Sequence, residues 1–169
     1  MPRIYAACLA SYNDGQLHGA WIDADQDPED IHASITQMLR RSRRPDAEEW
    51  AIHDYEGFGT LKLGEHPAIE RVAEFAHAIE EHGDAFASWA GYAGENYANV
   101  SDFEDAYHGE HDSQLAFTEE LIEDMGWLSD MPEHLRSYFD YDTYTRDLFI
   151  TDFFRSAAPG GGVFVFRND

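Results

Sequence analysis

The sequence predicts an α+β fold made of small lobes: a small antiparallel sheet plus a helix over residues 1–60, a helical bundle over 61–102, and helices with short strands over 103–169. Three observations lead there. Short runs rich in apolar and β-forming residues stand near both ends, at 3–10, 19–23, 50–55 and 163–167. The long stretch between them places its apolar residues at helical spacing. Finally, 43% of the 169 residues are hydrophobic and 14% aromatic, far more than an acidic disordered chain carries, so a packed core is affordable in area terms.

Taken in order, Arg3–Ala10 and Gly19–Asp23 read as strands, and Asn13-Asp14-Gly15 between them is a turn signal that predicts a hairpin. Asp27-Pro28 starts a helix, with an acceptor at the cap and a fixed φ at the first helical position. Its stripe is Ile31, Ile35, Met38 and Leu39, and it ends in Arg40, Arg41, Arg43 and Arg44, where cations favour a helix C-terminus. Trp50–Tyr55 is a third strand. Pro67 opens a pattern of Ile69, Val72, Phe75, Ala76 and Ile79 that Gly83 is placed to end, and residues 84–92 give a further short helix. Ser101-x-x-Glu104 forms a capping box, Ser113 starts a helix with Leu115, Leu121, Ile122 and Met125, and Pro132 starts another. Pro159 and Gly160–Gly162 turn the chain into a last strand, Val163–Arg167.

Charge narrows the function. Asp and Glu number 34 against 11 Lys and Arg, a net charge of −23. Phosphate affinity comes from Lys and Arg, so direct nucleic-acid binding is disfavoured, and an anionic membrane repels such a surface. No apolar run approaches the ~18 residues of a membrane span, and the N-terminal apolar stretch is too short for a secretory signal. The single cysteine, Cys8, allows no internal disulfide and fits a cytoplasmic protein. The acidity points to a basic partner, to metal ions or to a high-salt habitat.

Its distribution says more than its sum. Between Arg71 and Arg136 lie 64 residues with 16 acids and neither Lys nor Arg. Glu119 with Glu123 and Glu120 with Asp124 are like charges at helical spacing, each costing a helix a few tenths of a kcal/mol. One acid per four residues is one charge per roughly 6 Å of helix, against one per about 1.7 Å of duplex DNA. Three or four such helices side by side would match a phosphate-like field. The candidate partner-binding carboxylates are Glu74, Glu80, Glu81, Asp84, Glu95, Asp102, Glu104, Asp105, Glu110, Asp112, Glu119, Glu120, Glu123 and Asp124.

Catalytic and metal signatures are weak. Asp23-x-Asp25-x-Asp27 departs from a calcium loop, since Pro28 stands where the turn needs Gly and Ser34 where a bidentate Glu is required. His108 and His111 beside Asp112 offer a metal pair without a recognisable third ligand. Cys8 sits in an apolar strand pattern, and nucleophile-elbow and phosphate-loop motifs are missing. The expectation is a non-enzyme without cofactor. The most distinctive segment, residues 128–148, concentrates Tyr138, Phe139, Tyr141 and Tyr144 with Arg136 and Arg146. It reads as a core element, as a subunit interface, or as both.

These residues resemble the ArdA-type antirestriction proteins almost end to end. The likeness is carried by Ile4-Tyr5, Tyr12-Asn13-Asp14-Gly15, Leu17-His18-Gly19 and Trp21-Ile22-Asp23, then by residues 49–58 (EWAIHDYEGF), 103–110 (FEDAYHGE) and 128–148. The resemblance implies an elongated three-domain protein that dimerises through its C-terminal domain. It also implies a DNA mimic that occupies the DNA-binding groove of Type I restriction–modification enzymes (methyltransferase core and specificity subunit). Such a protein defends incoming mobile DNA from restriction, and some members impair modification as well. By the same likeness, Leu128, Met131, Pro132, Leu135, Arg136, Tyr138, Phe139, Asp140, Tyr141 and Arg146 belong at the dimer contact. Arg40–Arg44 and Gly160–Gly162 stand outside the family pattern. Two rivals remain: a salt-adapted or cation-binding acidic domain, and a metal-dependent enzyme around His108 and His111.

Overall fold

A computed structural model describes residues 1–168. Among these residues the fold is α+β, as the sequence predicts, with seven helices and two three-stranded antiparallel sheets. The chain divides into two compact units, Met1–Val100 and the residues from Ser101 onward.

In the first unit, β1 (Arg3–Cys8) is the central strand of the sheet β2-β1-β3, flanked by β2 (Gly19–Asp23) and β3 (Trp50–Glu56). Ile4 pairs with Ile22 and Ala6 with Ala20, and Ile4, Ala6, Ala7 and Cys8 are buried. Gly19 is required at its place, because a Cβ there would stand 2.6 Å from the Ala6 carbonyl oxygen. The expected hairpin forms, β1 pairing antiparallel with β2, but β1 ends at Cys8 rather than Ala10 and the connection holds one helical segment, α1 (Leu9–Asn13). Its turn is closed by the amides of Asp14 and Gln16 donating to Ser11 O. The helical turn packs Ser11 inward and leaves Tyr12 exposed.

Helix α2 (Pro28–Arg40) packs against β1 and β2 through Ile31, Ile35 and Met38, with Leu39 half-buried at the stripe's edge. The Asp27 side chain makes no capping bond; its carbonyl accepts from Asp30 N at 2.9 Å and Ile31 N at 3.2 Å, and Pro28 sets the first turn. Helix α3 (Ile69–Ala93) buries Ile69, Val72, Phe75, Ala76 and Ile79 and packs on α2. Gly83, at φ 66° and ψ −151°, interrupts it, so the helix has two parts meeting where the sequence places a stop.

Helix α4 (Val100–Ala106), all but its first residue in the second unit, runs into β4 (Tyr107–His111). Ser101 lies inside α4 rather than at its cap, because the helix begins one residue earlier. Helix α5 (Gln114–Met125) begins as expected, Ser113 Oγ accepting from Ala116 N at 3.0 Å. The helix at Pro132 is a single turn, α6 (Glu133–Arg136), and a separate α7 (Tyr141–Thr151) follows. The sheet order is β4-β6-β5, with β5 (Phe153–Ala157) and β6 (Val163–Arg167) joined across Gly160–Gly162. Central β6 is buried on both faces. Phe117, Leu148 and Phe153 cluster with Val163 and Val165. Around Phe166 stand Phe103, Tyr107 and Phe154, with ring centroids 6.3, 5.5 and 5.1 Å away.

Candidate protein-docking surface

The fourteen candidate carboxylates divide between the units, Glu74, Glu80, Glu81, Asp84 and Glu95 in the first and the other nine in the second. Thirteen of them are exposed, and Glu95 is half-buried. Helix α5 shows why. Phe117, Thr118 and Ile122 occupy its inner face, which leaves Glu119, Glu120, Glu123 and Asp124 on the outer one. Four acids over its 12 residues amount to one charge per about 4.5 Å of axis, denser than the sequence-wide average of the cation-free stretch.

The arginines bounding that stretch are engaged at home. Arg71 Nη1 binds Glu74 at 2.6 Å, while its Nη2 donates to the carbonyl oxygens of Glu95 and Ala98 at 2.8 and 2.7 Å. Arg136 donates from Nε to Met131 O at 3.0 Å and from Nη2 to Ser129 O at 2.9 Å, which folds residues 129–136 around its guanidinium. Elsewhere Arg3 pairs with Glu56, Arg44 with Asp14 and Asp46, and Arg146 with Asp147. Two further candidate acids stand beside groups that carry or can take up a proton. The N-terminal ammonium stands 3.4 Å from Glu80, and His111 Nδ1 stands 3.2 Å from Glu120.

The segment 128–148 is thinly covered. Leu128, Met131, Phe139 and Tyr141 are half-buried, whereas Pro132, Leu135, Arg136, Tyr138, Asp140 and Arg146 are exposed. Tyr138 leaves 83% of its surface open. Phe139 gathers Tyr141 and Tyr144 at centroid distances of 4.8 and 5.7 Å, giving the segment a small aromatic core of its own. Asp140 caps α7 by accepting from Thr143 N and Oγ1 at 3.0 and 2.7 Å, bonds that hold its carboxyl below the usual carboxylate range. Leu128, Arg136 and Tyr141 line one groove of about 530 Å³ with Glu119 and Glu123 of α5. The two sets of candidates, acidic and aromatic, therefore meet in this unit. Trp127 and Ile150 add exposed apolar surface that sequence spacing did not single out, and Met125, expected in the apolar stripe of α5, is its last residue and lies exposed.

The other constellations have structural partners. His111 Nε2 lies 2.9 Å from His108 O and its Nδ1 faces Glu120, so both ring nitrogens are engaged within the fold. His108 packs edge-on against Phe153 at 5.0 Å, and partial desolvation beside Arg167 and His111 keeps its pKa below the ordinary histidine value. Among the described residues no group of three or more His, Cys, Asp or Glu is arranged to hold a metal ion. Asp25 faces His77 Nδ1 at 2.7 Å, and the Asp23 carbonyl accepts from Gln26 at 2.7 Å. Cys8 is fully buried, its thiol 3.9 Å from Ser42 Oγ. No described helix is long and apolar enough to cross a membrane.

A family model described as antirestriction protein (ArdA) matches residues 4–160. A search of curated proteins gives no match.

Proposed function

Because this chain belongs to the ArdA antirestriction family, whose pattern spans residues 4–160, we propose that it acts as an acidic DNA mimic. It occupies the DNA-binding groove of a Type I restriction–modification enzyme, at the methyltransferase core and specificity subunit, and inhibits restriction. Blocking the shared groove inhibits modification too, and the beneficiary is incoming mobile DNA in the cytoplasm. One observation carries this reading: thirteen exposed carboxylates in a stretch without Lys or Arg, bounded by arginines that bind backbone carbonyls. Such a surface presents a large excess of negative charge where a DNA-reading protein presents positive charge.

The active form is a homodimer joined through the 128–148 segment, and the lobes 1–60, 61–102 and 103–169 carry the charge along it. Twice the chain's −23 equals the charge of about 23 base pairs. The test is competition: purified protein against a labelled duplex on a purified Type I enzyme, across a salt series. The expected result is displacement of the DNA with an affinity that falls on the order of tenfold or more between low and moderate salt. Displacement insensitive to salt overturns charge mimicry.

A further inference from the structure

Residues 94–99 form a loop at the C-terminal end of α3 whose backbone is pinned from several sides. Gly94, at φ 87°, turns the chain out of the helix, and its carbonyl accepts from the amides of Tyr97 and Ala98 at 3.1 and 3.0 Å. Arg71 binds the carbonyls of Glu95 and Ala98, and Asn99 Nδ2 donates to the Tyr97 carbonyl at 3.3 Å. The clamp is itself fixed: the Arg71 guanidinium lies 4.3 Å from the centroid of the buried Phe75 ring and is neutralised by Glu74. Ala98 is buried with 1% exposure, so one residue of the loop plugs the unit.

Within this immobilised backbone the Tyr97 ring is 77% exposed. The chain buries its large aromatics Phe58, Phe75, Phe86, Phe103 and Phe166 almost completely. Tyr97 follows Glu95 by two residues and lies inside the cation-free stretch. An exposed tyrosine within an acidic, cation-free stretch fits one kind of surface, one that offers guanidinium groups. Arginine stacks on an aromatic face and pairs with a neighbouring carboxylate at the same time, and tyrosine supplies a large rigid contact at little entropic cost. Fixing the loop before binding lowers the ordering cost further.

We propose that Tyr97 is the aromatic anchor of the docking surface, stacking on an arginine side chain in the partner's DNA-binding groove. This rests on the mimicry reading above and divides the affinity into two parts. Distributed carboxylates supply a long-range attraction that salt screens; Tyr97 supplies a local, desolvated contact that salt barely touches.

The competition assay, repeated over the salt series with Tyr97→Ala, Tyr97→Phe and Leu17→Ala, tests it. Leu17, 74% exposed and outside the cation-free stretch, serves as control. Tyr97→Ala is expected to weaken displacement about tenfold or more at every salt concentration, with the slope against salt unchanged. Tyr97→Phe and Leu17→Ala stay within about twofold of the parent, and thermal melting of all three matches it. Tyr97→Ala displacing DNA as well as the parent does overturns the inference alone, as does Tyr97→Phe failing as badly as Tyr97→Ala. A parent protein that displaces no DNA at all overturns the mimicry reading and this inference together.

Discussion

Arg71 and Arg136 stand at the two ends of the cation-free stretch, and each forms hydrogen bonds to two backbone carbonyls. A lysine cannot replace either, since one ammonium lacks the planar fork that reaches two carbonyls in fixed geometry. Between them the carboxylates work by number. Glu119, Glu120, Glu123 and Asp124 share the outer face of α5, so removing one leaves most of the local field. Glu123→Gln is therefore expected to change displacement of DNA by less than about twofold. The same change relieves a like-charge pair with Glu119 and leaves thermal stability equal or higher by a few tenths of a kcal/mol. Replacing all four with Gln multiplies the single effects, to at most about sixteenfold, because screened attractions add in free energy. One single change that abolishes inhibition would replace this picture with a discrete hot spot.

Strand β4 shows how an element is decided by its neighbours. Tyr107-His-Gly-Glu-His111 has no β-branched residue, and Gly109 at φ 102° accompanies a register irregularity between Tyr107 and Glu110. Pairing with the apolar β6, more than fifty residues later, makes it a strand, and this places His108 against Phe117 and Phe153. Packing against these rings partly desolvates the otherwise exposed imidazolium, Arg167 and His111 add repulsion, and the folded pKa falls below the ordinary 6.5. The neutral side chain is thus compatible with the fold, and this part of the stability is complete above about pH 6.5. It is lost as pH falls through the lowered value, because the unfolded chain binds the proton more readily. Thermal melting of the parent is expected to decline over that window and that of His108→Gln to decline less; an NMR titration midpoint for His108 at or above 6.5 contradicts this.

For the whole chain, the proposed homodimer makes the clearest demand. Leu135 and Tyr138 are 44% and 83% exposed on a segment whose short helix α6 buries nothing. Charged replacements there should spare the fold and break the pairing. Leu135→Glu with Tyr138→Glu is expected to sediment as a monomer, with unchanged circular dichroism, where the parent sediments as a dimer. A parent that is monomeric at working concentration removes the dimer from the proposal. Stable folding at low ionic strength in the same runs separates this protein from a salt-adapted acidic domain, which needs salt to screen its own repulsion.

The sequence by itself determined the α+β class, the stripe of α2, the break at Gly83, the Ser113 cap and the turn at Gly160–Gly162. It also determined the cation-free stretch and, through near end-to-end motifs, the family. These are local matters, since caps, turns, spacing and composition act within a few residues of chain. Only the tertiary structure decided that Ser101 lies inside its helix, that β4 and β5 exist, and that the first hairpin is connected through α1. It alone decided that thirteen of the fourteen carboxylates face outward while Arg71 and Arg136 bind carbonyls. Those outcomes depend on partners distant in the chain: a strand without β-branched residues needs β6 beside it, and a charge shows its field only if no neighbour neutralises it.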